Sequence, residues 1–288
     1  RELIKRWPMV RVIDAIIAAT VGTVRLTEAG TSELAGAVVA GVVLAGSAPM
    51  LQRWFSETDH PDADNPYFLY GASNLGSMTS LLAYPVLIEP FLNIPAQADS
   101  WKYGYIALII CVAASAAFVW ARAQKKVHKE QFSDEKITWR QRMMWLILAF
   151  IPSSLMLGVT TFVTSDVATM PLLWIVPLAM YVGTFIIVFA RKPIISIKAV
   201  RFIQAILLVA LLVKMILPVV VNPFFLILPH FLLFFFTALS LHMELAASRP
   251  GPRHLTEFYL IMSIGGALGG FFNAIIAPVY FIIPLEYA

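Results

Sequence analysis

Phe258–Ile283 reads FYLIMSIGGALGGFFNAIIAPVYFII, 26 consecutive residues without a charged side chain. A helix rises 1.5 Å per residue, so about 20 apolar residues cross a hydrocarbon core about 30 Å thick. This run is long enough to do so and far too long for a buried strand. In lipid every backbone N–H and C=O must be satisfied within the segment, which leaves a transmembrane helix as its reading.

The same pattern recurs along the 288 residues. Uncharged stretches run over 34–52, 67–88, 103–121, 143–165 and 167–190. Others run over 202–220, with Lys214 near one end, over 224–243, and over 258–283. A weaker run, 7–24, is interrupted by Arg11 and Asp14. The chain is therefore expected to be all-α, a polytopic integral membrane helical bundle of about eight or nine transmembrane helices. Composition agrees: 59% of residues are hydrophobic and 13% charged, about half the charged fraction a water-facing domain carries. Membrane lipid is the expected surrounding partner. The net charge of +4 does not point to nucleic acid, because the charges sit in clusters between apolar runs.

Those clusters predict an orientation. With Arg1, Lys5, Arg6 and Arg11 inside and sides alternating at each span, Arg53 falls inside. So do the residues from Arg122 to Arg142, the group Arg191, Lys192, Lys198 and Arg201, and the pair Arg249 and Arg253. Of the 21 Lys and Arg residues only Arg25, Lys102 and Lys214 are left outside or near the outer end. The positive-inside rule then places the amino terminus in the cytoplasm. Three regions are expected: N-terminal transmembrane helices over 1–121, a basic cytoplasmic linker over 122–142, and C-terminal transmembrane helices over 143–288. Beginning at Arg1 rather than at a methionine, the chain is read as a fragment or a processed product.

No soluble catalytic signature is present: there is no phosphate-binding glycine loop after a strand, no nucleophile elbow and no metal-spaced His/Cys set. No catalytic residue, metal or cofactor is expected. Cys111, the single cysteine, lies inside an apolar run and reads as an inert packed thiol. Prolines at positions 49, 85, 152, 177, 229 and 278 fall within spans; each removes a backbone hydrogen bond and favours a kink. Gly265, Gly266, Gly269 and Gly270 repeat at four-residue spacing, which leaves one flank of a helix bare enough for another to approach. Helix packing is the favoured reading of this quartet. Polar groups within or at the ends of spans are the candidate substrate contacts: Asn74 among Ser73, Ser77 and Ser80; Thr161 and Asp166 in a patch near one span end; and Glu89, Glu244 and Glu257 at other span ends. Buried hydroxyls and amides also bridge helices for about 0.6 to 2 kcal/mol, and interfacial anchoring explains most boundary carboxylates.

Several stretches carry a resemblance in their order and wording. They are Pro49-Met50-Leu51-Gln52-Arg53-Trp54-Phe55, Pro66-Tyr67-Phe68-Leu69-Tyr70, Ser73-Asn74-Leu75-Gly76-Ser77, Gly158-Val159-Thr160-Thr161 and Pro171-Leu172-Leu173-Trp174. Later come His242-Met243-Glu244-Leu245, Leu255-Thr256-Glu257-Phe258-Tyr259 and the double-glycine helix ending in Ala277-Pro278. From about Pro49 to Pro278 the chain resembles the membrane portion of bacterial proteins in which a major-facilitator-like bundle is fused to a spermidine-synthase-like domain. The resemblance implies a transporter-like domain of the bacterial cytoplasmic membrane, handling a polyamine or another small organic solute. Acidic groups such as Glu89, Asp166, Glu244 and Glu257 would then be its natural partners. The family's aminopropyltransferase-like domain is not in these 288 residues, so no enzymatic activity is expected of this chain alone. The alternative is a structural or accessory subunit working with other membrane subunits.

Overall fold

The computed structural model describes residues 46–58, 60–123, 136–164, 172–192, 194–216 and 223–280. These fall into two compact units. The first holds residues 46–66 and the chain from Leu92 to Ala123; the second holds Tyr67–Phe91 and the described residues from 136 onward.

In the first unit, residues 46–56 form a helix, α1, and Ile94–Ala123 form α3. Val112, Ala116 and Val119 recur at helical spacing on α3 and bury against Trp54 of α1, with Met50, Leu51 and Leu108 around them. Arg53 Nε meets Glu57 Oε1 at 3.2 Å one turn later.

The second unit is a helical bundle of α2 (Phe68–Ala83), α4 (Trp139–Phe162), α5 (Ile175–Val188), α6 (Ile197–Ile216), α7 (Pro223–Ala247) and α8 (Leu255–Phe271). The start of α4 is fixed by a reciprocal cap: Thr138 Oγ1 accepts from the Gln141 backbone N–H, and Gln141 Oε1 accepts from the Thr138 N–H at 2.8 Å. A π-helical segment, Tyr84–Ile88 with Pro85 at its start, follows α2; another, Phe272–Ile276, follows α8 and leads into the short α9 (Ala277–Tyr280). Such segments mark places where the regular ladder has been disturbed.

Contacts along the helices give their directions. Arg142, Ser153 and Ser154 on α4 meet Glu257, Gly266 and Asn273 on or just beyond α8, so these two run parallel. Arg201 and Gln204 on α6 meet Glu244 and Thr237 on α7, so that pair is antiparallel. The core has two parts. One, around Tyr67, Trp145, Phe185, Phe189, Leu255 and Phe258, lies near the start of α4; the other, around Val159, Val163, Phe231 and Phe234, lies near its end. The outward faces are apolar too: Phe202, Ile206, Val209 and Val213 on α6, and Leu260, Ile264, Leu268 and Phe271 on α8, are all exposed. A surface of this kind is one that lipid tails cover. The chain is a polytopic, largely helical membrane-spanning protein.

The expected count of eight or nine spans in a major-facilitator-like bundle is corrected by the structure. Among the described residues four segments are long and apolar enough to cross: Ile94–Val119, Trp139–Phe162, Ile227–Ala247 and Pro252–Tyr280. The reasons differ from helix to helix. α2 is regular for 16 residues before Pro85 and the π segment interrupt it. α5 begins only at Ile175 and covers 14 residues, about 21 Å. α6 has 20 residues but carries Lys198, Arg201 and Lys214, leaving about 18 Å of uncharged helix between the last two. The runs expected over 7–24 and most of 34–52 lie outside the described residues, as does most of the linker expected at 122–142.

Candidate functional site

The helix directions gather one set of ends together: the starts of α2, α4, α6 and α8 and the ends of α5 and α7. Lys136, Arg140, Arg142, Arg191, Lys192, Lys198, Arg201, Arg249 and Arg253 all lie on these ends or their connections. Among the described residues of this unit, Lys214 is the remaining Lys or Arg, and it sits at the far end of α6. The bundle therefore has a basic end and a far end.

Two carboxylates at the basic end are held by arginines from other helices. Glu257, in the first turn of α8, accepts from Arg142 Nε of α4 through Oε1 at 2.6 Å. Its Oε2 is 3.3 Å from His254 Nδ1, and Arg142 also donates Nη1 to the Ile137 carbonyl at 3.1 Å. Glu244, near the end of α7, pairs with Arg201 of α6. Two further arginines lie over aromatic faces: Arg191 is 4.2 Å from the Phe68 ring centroid and Arg249 is 5.4 Å from that of Tyr67. Just inside this charged layer, Tyr67 donates its hydroxyl to the Pro250 carbonyl at 2.8 Å. Trp145 donates its indole N–H to the Ser248 carbonyl at 3.2 Å. Both bonds satisfy carbonyls of the chain leaving α7.

Beneath that layer lies a fully buried polar pair, His242 of α7 and Thr184 of α5, each with no exposed surface. His242 Nδ1 is 2.7 Å from Thr184 Oγ1. Its ring stacks on Phe185, with centroids 4.0 Å apart, and meets Tyr181 edge-on at 5.3 Å. Tyr181, Thr184 and Phe185 all come from one turn of α5. The imidazole thus sits between a hydroxyl on one nitrogen and aromatic walls.

The sequence-predicted residues do not converge on one place. Asn74, half-buried on α2, donates Nδ2 to the Tyr70 carbonyl one turn back at 2.8 Å. Glu89 is exposed just past the π segment, and Thr161 is exposed in the last turn of α4, both toward the far end. Asp166 lies outside the described residues. Glu244 and Glu257 share the basic end on neighbouring ends of α7 and α8. The glycine quartet is divided. A Cβ at Gly265 would collide with the Leu146 carbonyl oxygen, and one at Gly269 would stand 2.5 Å from the Phe150 oxygen and 2.9 Å from the Ser154 nitrogen. At Gly266 a Cβ would meet nothing within 4 Å, and at Gly270 only the end of Leu157 at 3.9 Å. Ser153 donates to the Gly266 carbonyl at 2.8 Å and Asn273 donates to Ser154 Oγ at 2.5 Å across the same seam.

Sequence reading missed Arg142 as the partner of Glu257 and missed the His242–Thr184 pair. The residues of each pair are 115 and 58 positions apart, and no local spacing links them. The one available signal was a histidine, His242, two residues before Glu244 near the end of α7. Among the described residues no group of three or more His, Cys, Asp and Glu side chains is placed to hold a metal. Compared with protein-family profiles, curated proteins and solved structures, the chain matches none.

Proposed function

We propose that this chain is a transporter-like membrane domain that moves or channels a small organic solute, with its basic end toward the cytoplasm. The observation that carries the reading is the His242–Thr184 pair. A buried ionisable side chain within a membrane bundle is costly, and such groups concentrate where solutes or ions pass. Irregular backbone supports it as well: π segments follow α2 and α8, and Pro152 and Pro229 each remove a backbone hydrogen bond within the otherwise continuous α4 and α7. Irregular backbone at membrane depth accompanies solute pathways in transporters. Orientation follows from the Lys and Arg gathered at one end, which resist translocation. The bacterial cytoplasmic membrane and a polyamine as solute rest on the resemblance to the spermidine-synthase fusion proteins.

A polyamine arriving at the basic end would compete with Arg142 and Arg201 for Glu257 and Glu244, so these ion pairs act as a charged entry layer over the His242 site. The test is uptake of radiolabelled spermidine by vesicles containing the purified chain. Uptake above that of protein-free vesicles, lowered by Glu257→Gln, is the expected result. Uptake equal to the protein-free control refutes the polyamine reading. Purification in fixed stoichiometry with other membrane proteins, together with that result, favours an accessory subunit.

A further inference from the structure

The hydrogen bonds around His242 fix which of its nitrogens carries the proton. A threonine hydroxyl has one hydrogen to donate. That of Thr184 goes to the Tyr181 carbonyl, 2.6 Å away in its own helix. Toward His242 the Thr184 oxygen is therefore an acceptor, and the atom facing it at 2.7 Å, Nδ1, must bear the N–H. In a neutral imidazole the other nitrogen, Nε2, is then a bare lone pair. This atom is buried and has no hydrogen-bond partner in the protein among the described residues. The ring is held on three counts: the Thr184 bond, the Phe185 stack and the Tyr181 edge. It cannot turn to satisfy Nε2 without losing the first of these.

An unsatisfied acceptor in such a place is destabilising, and an occupant that donates to it removes that penalty. Among the described residues, the one titratable group in ring or hydrogen-bond contact with His242 is Tyr181. On its own helix the nearest charge is Glu244, paired with Arg201. The site offers an acceptor without a counter-charge.

We propose that His242 Nε2 is a binding point for a hydrogen-bond donor from outside the chain, an N–H or O–H of the small solute. The solute assignment rests on the transport reading; the acceptor site itself does not. His242 lies five residues before the end of α7 at Ala247, about 8 Å of helix inward. His242 has no exposed surface, so a donor coming from the basic end past the Arg142–Glu257 and Arg201–Glu244 pairs reaches it only when the packing above the ring opens.

The full chain, labelled with ¹⁵N-histidine and held in lipid nanodiscs, tests this. The His242 signal is identified by its loss in His242→Asn. Nε2 is expected to resonate as an unprotonated acceptor and to shift on addition of spermidine, an N–H donor, or 1,3-propanediol, an O–H donor. Two variants separate site from scaffold. His242→Gln places an amide near the Nε2 position, whereas His242→Asn keeps a polar group near Thr184 but removes the outer one. The probe that shifts Nε2 should bind His242→Asn about tenfold more weakly, the worth of one net hydrogen bond, with binding largely kept in His242→Gln. A proton found on Nε2, an Nε2 signal that neither probe moves, or one responding only to exchange of H₂O for D₂O overturns the proposal. A probe-dependent shift without vesicle uptake leaves the site standing and removes transport. Uptake with an unmoved Nε2 does the reverse.

Discussion

Gly269→Ala is the sharpest test of how α4 and α8 are joined. The added methyl would stand 2.5 Å from the Phe150 carbonyl oxygen, 2.9 Å from the Ser154 nitrogen and 3.0 Å from Ser153 Cβ. Two of these are backbone atoms of a regular helix, which cannot swing aside as a side chain would. A carbon needs about 3.3 Å from a carbonyl oxygen, so the helices must separate locally by about 0.8 Å. That shift carries the Ser153 bond to the Gly266 carbonyl, 2.8 Å in length, to about 3.6 Å, beyond useful range. Overpacking costs about 1–3 kcal/mol and the broken interhelical bond about 0.6 kcal/mol. The variant should lose about 2–3 kcal/mol. Gly266→Ala is the control, since its methyl meets open space and alanine is the better helix former by up to about 1 kcal/mol. Reversible unfolding in mixed detergent micelles, followed by far-ultraviolet circular dichroism, measures both. Equal stability of the two alanine variants would refute the seam. So would a more severe loss at Gly266 than at Gly269.

Two other consequences can be checked independently. A double-mutant cycle on Arg142→Ala and Glu257→Ala should give a coupling of about 1 kcal/mol, and one on Arg201→Ala and Glu244→Ala less than about 0.5 kcal/mol. The first pair is 35% and 30% exposed and the second 53% and 42%; equal couplings would show that burial does not rank them. In a Cys111→Ser background, a cysteine replacing Val86 at the far end should react with an impermeant maleimide on intact cells. One replacing Lys192 should react only after permeabilisation, and the opposite pattern would invert the bundle.

Helix class was legible because uncharged length is a direct requirement of lipid. The runs beginning at Tyr103, Met143, Phe224 and Phe258 correspond to α3, α4, α7 and α8, which supply the four long apolar segments among the described residues. Counting failed where hydropathy ignores helical continuity. The run over 167–190 is apolar throughout, yet its helix starts only at Ile175, while Pro85 ends the regular part of 67–88. A window of residues records transfer cost but says nothing about where the backbone stops rising at 1.5 Å per step. The glycine quartet shows the complementary limit. Spacing identified a bare flank, but which of each doublet faces α4 depends on helix rotation, and contact falls on Gly265 and Gly269 rather than on their neighbours. Glu257 was visible as a boundary carboxylate, and His254, three residues before it, was a readable local partner. Arg142 was not, because its approach depends on α4 and α8 running the same way with three helices between them in sequence.

That shared direction has a consequence for assembly. Ser153 and the Gly266 carbonyl it bonds are 113 residues apart, so the ribosome adds them roughly 6–20 s apart at bacterial or slower rates. During that interval the groove formed by Leu146, Ala149, Phe150 and Ser153 has been synthesised while the glycine ridge that fills it has not. Lipid or an insertion factor must shelter the groove meanwhile. Docking of α8 is therefore a late and separable event in biogenesis, and nascent chains arrested before Leu255 should show this seam unformed.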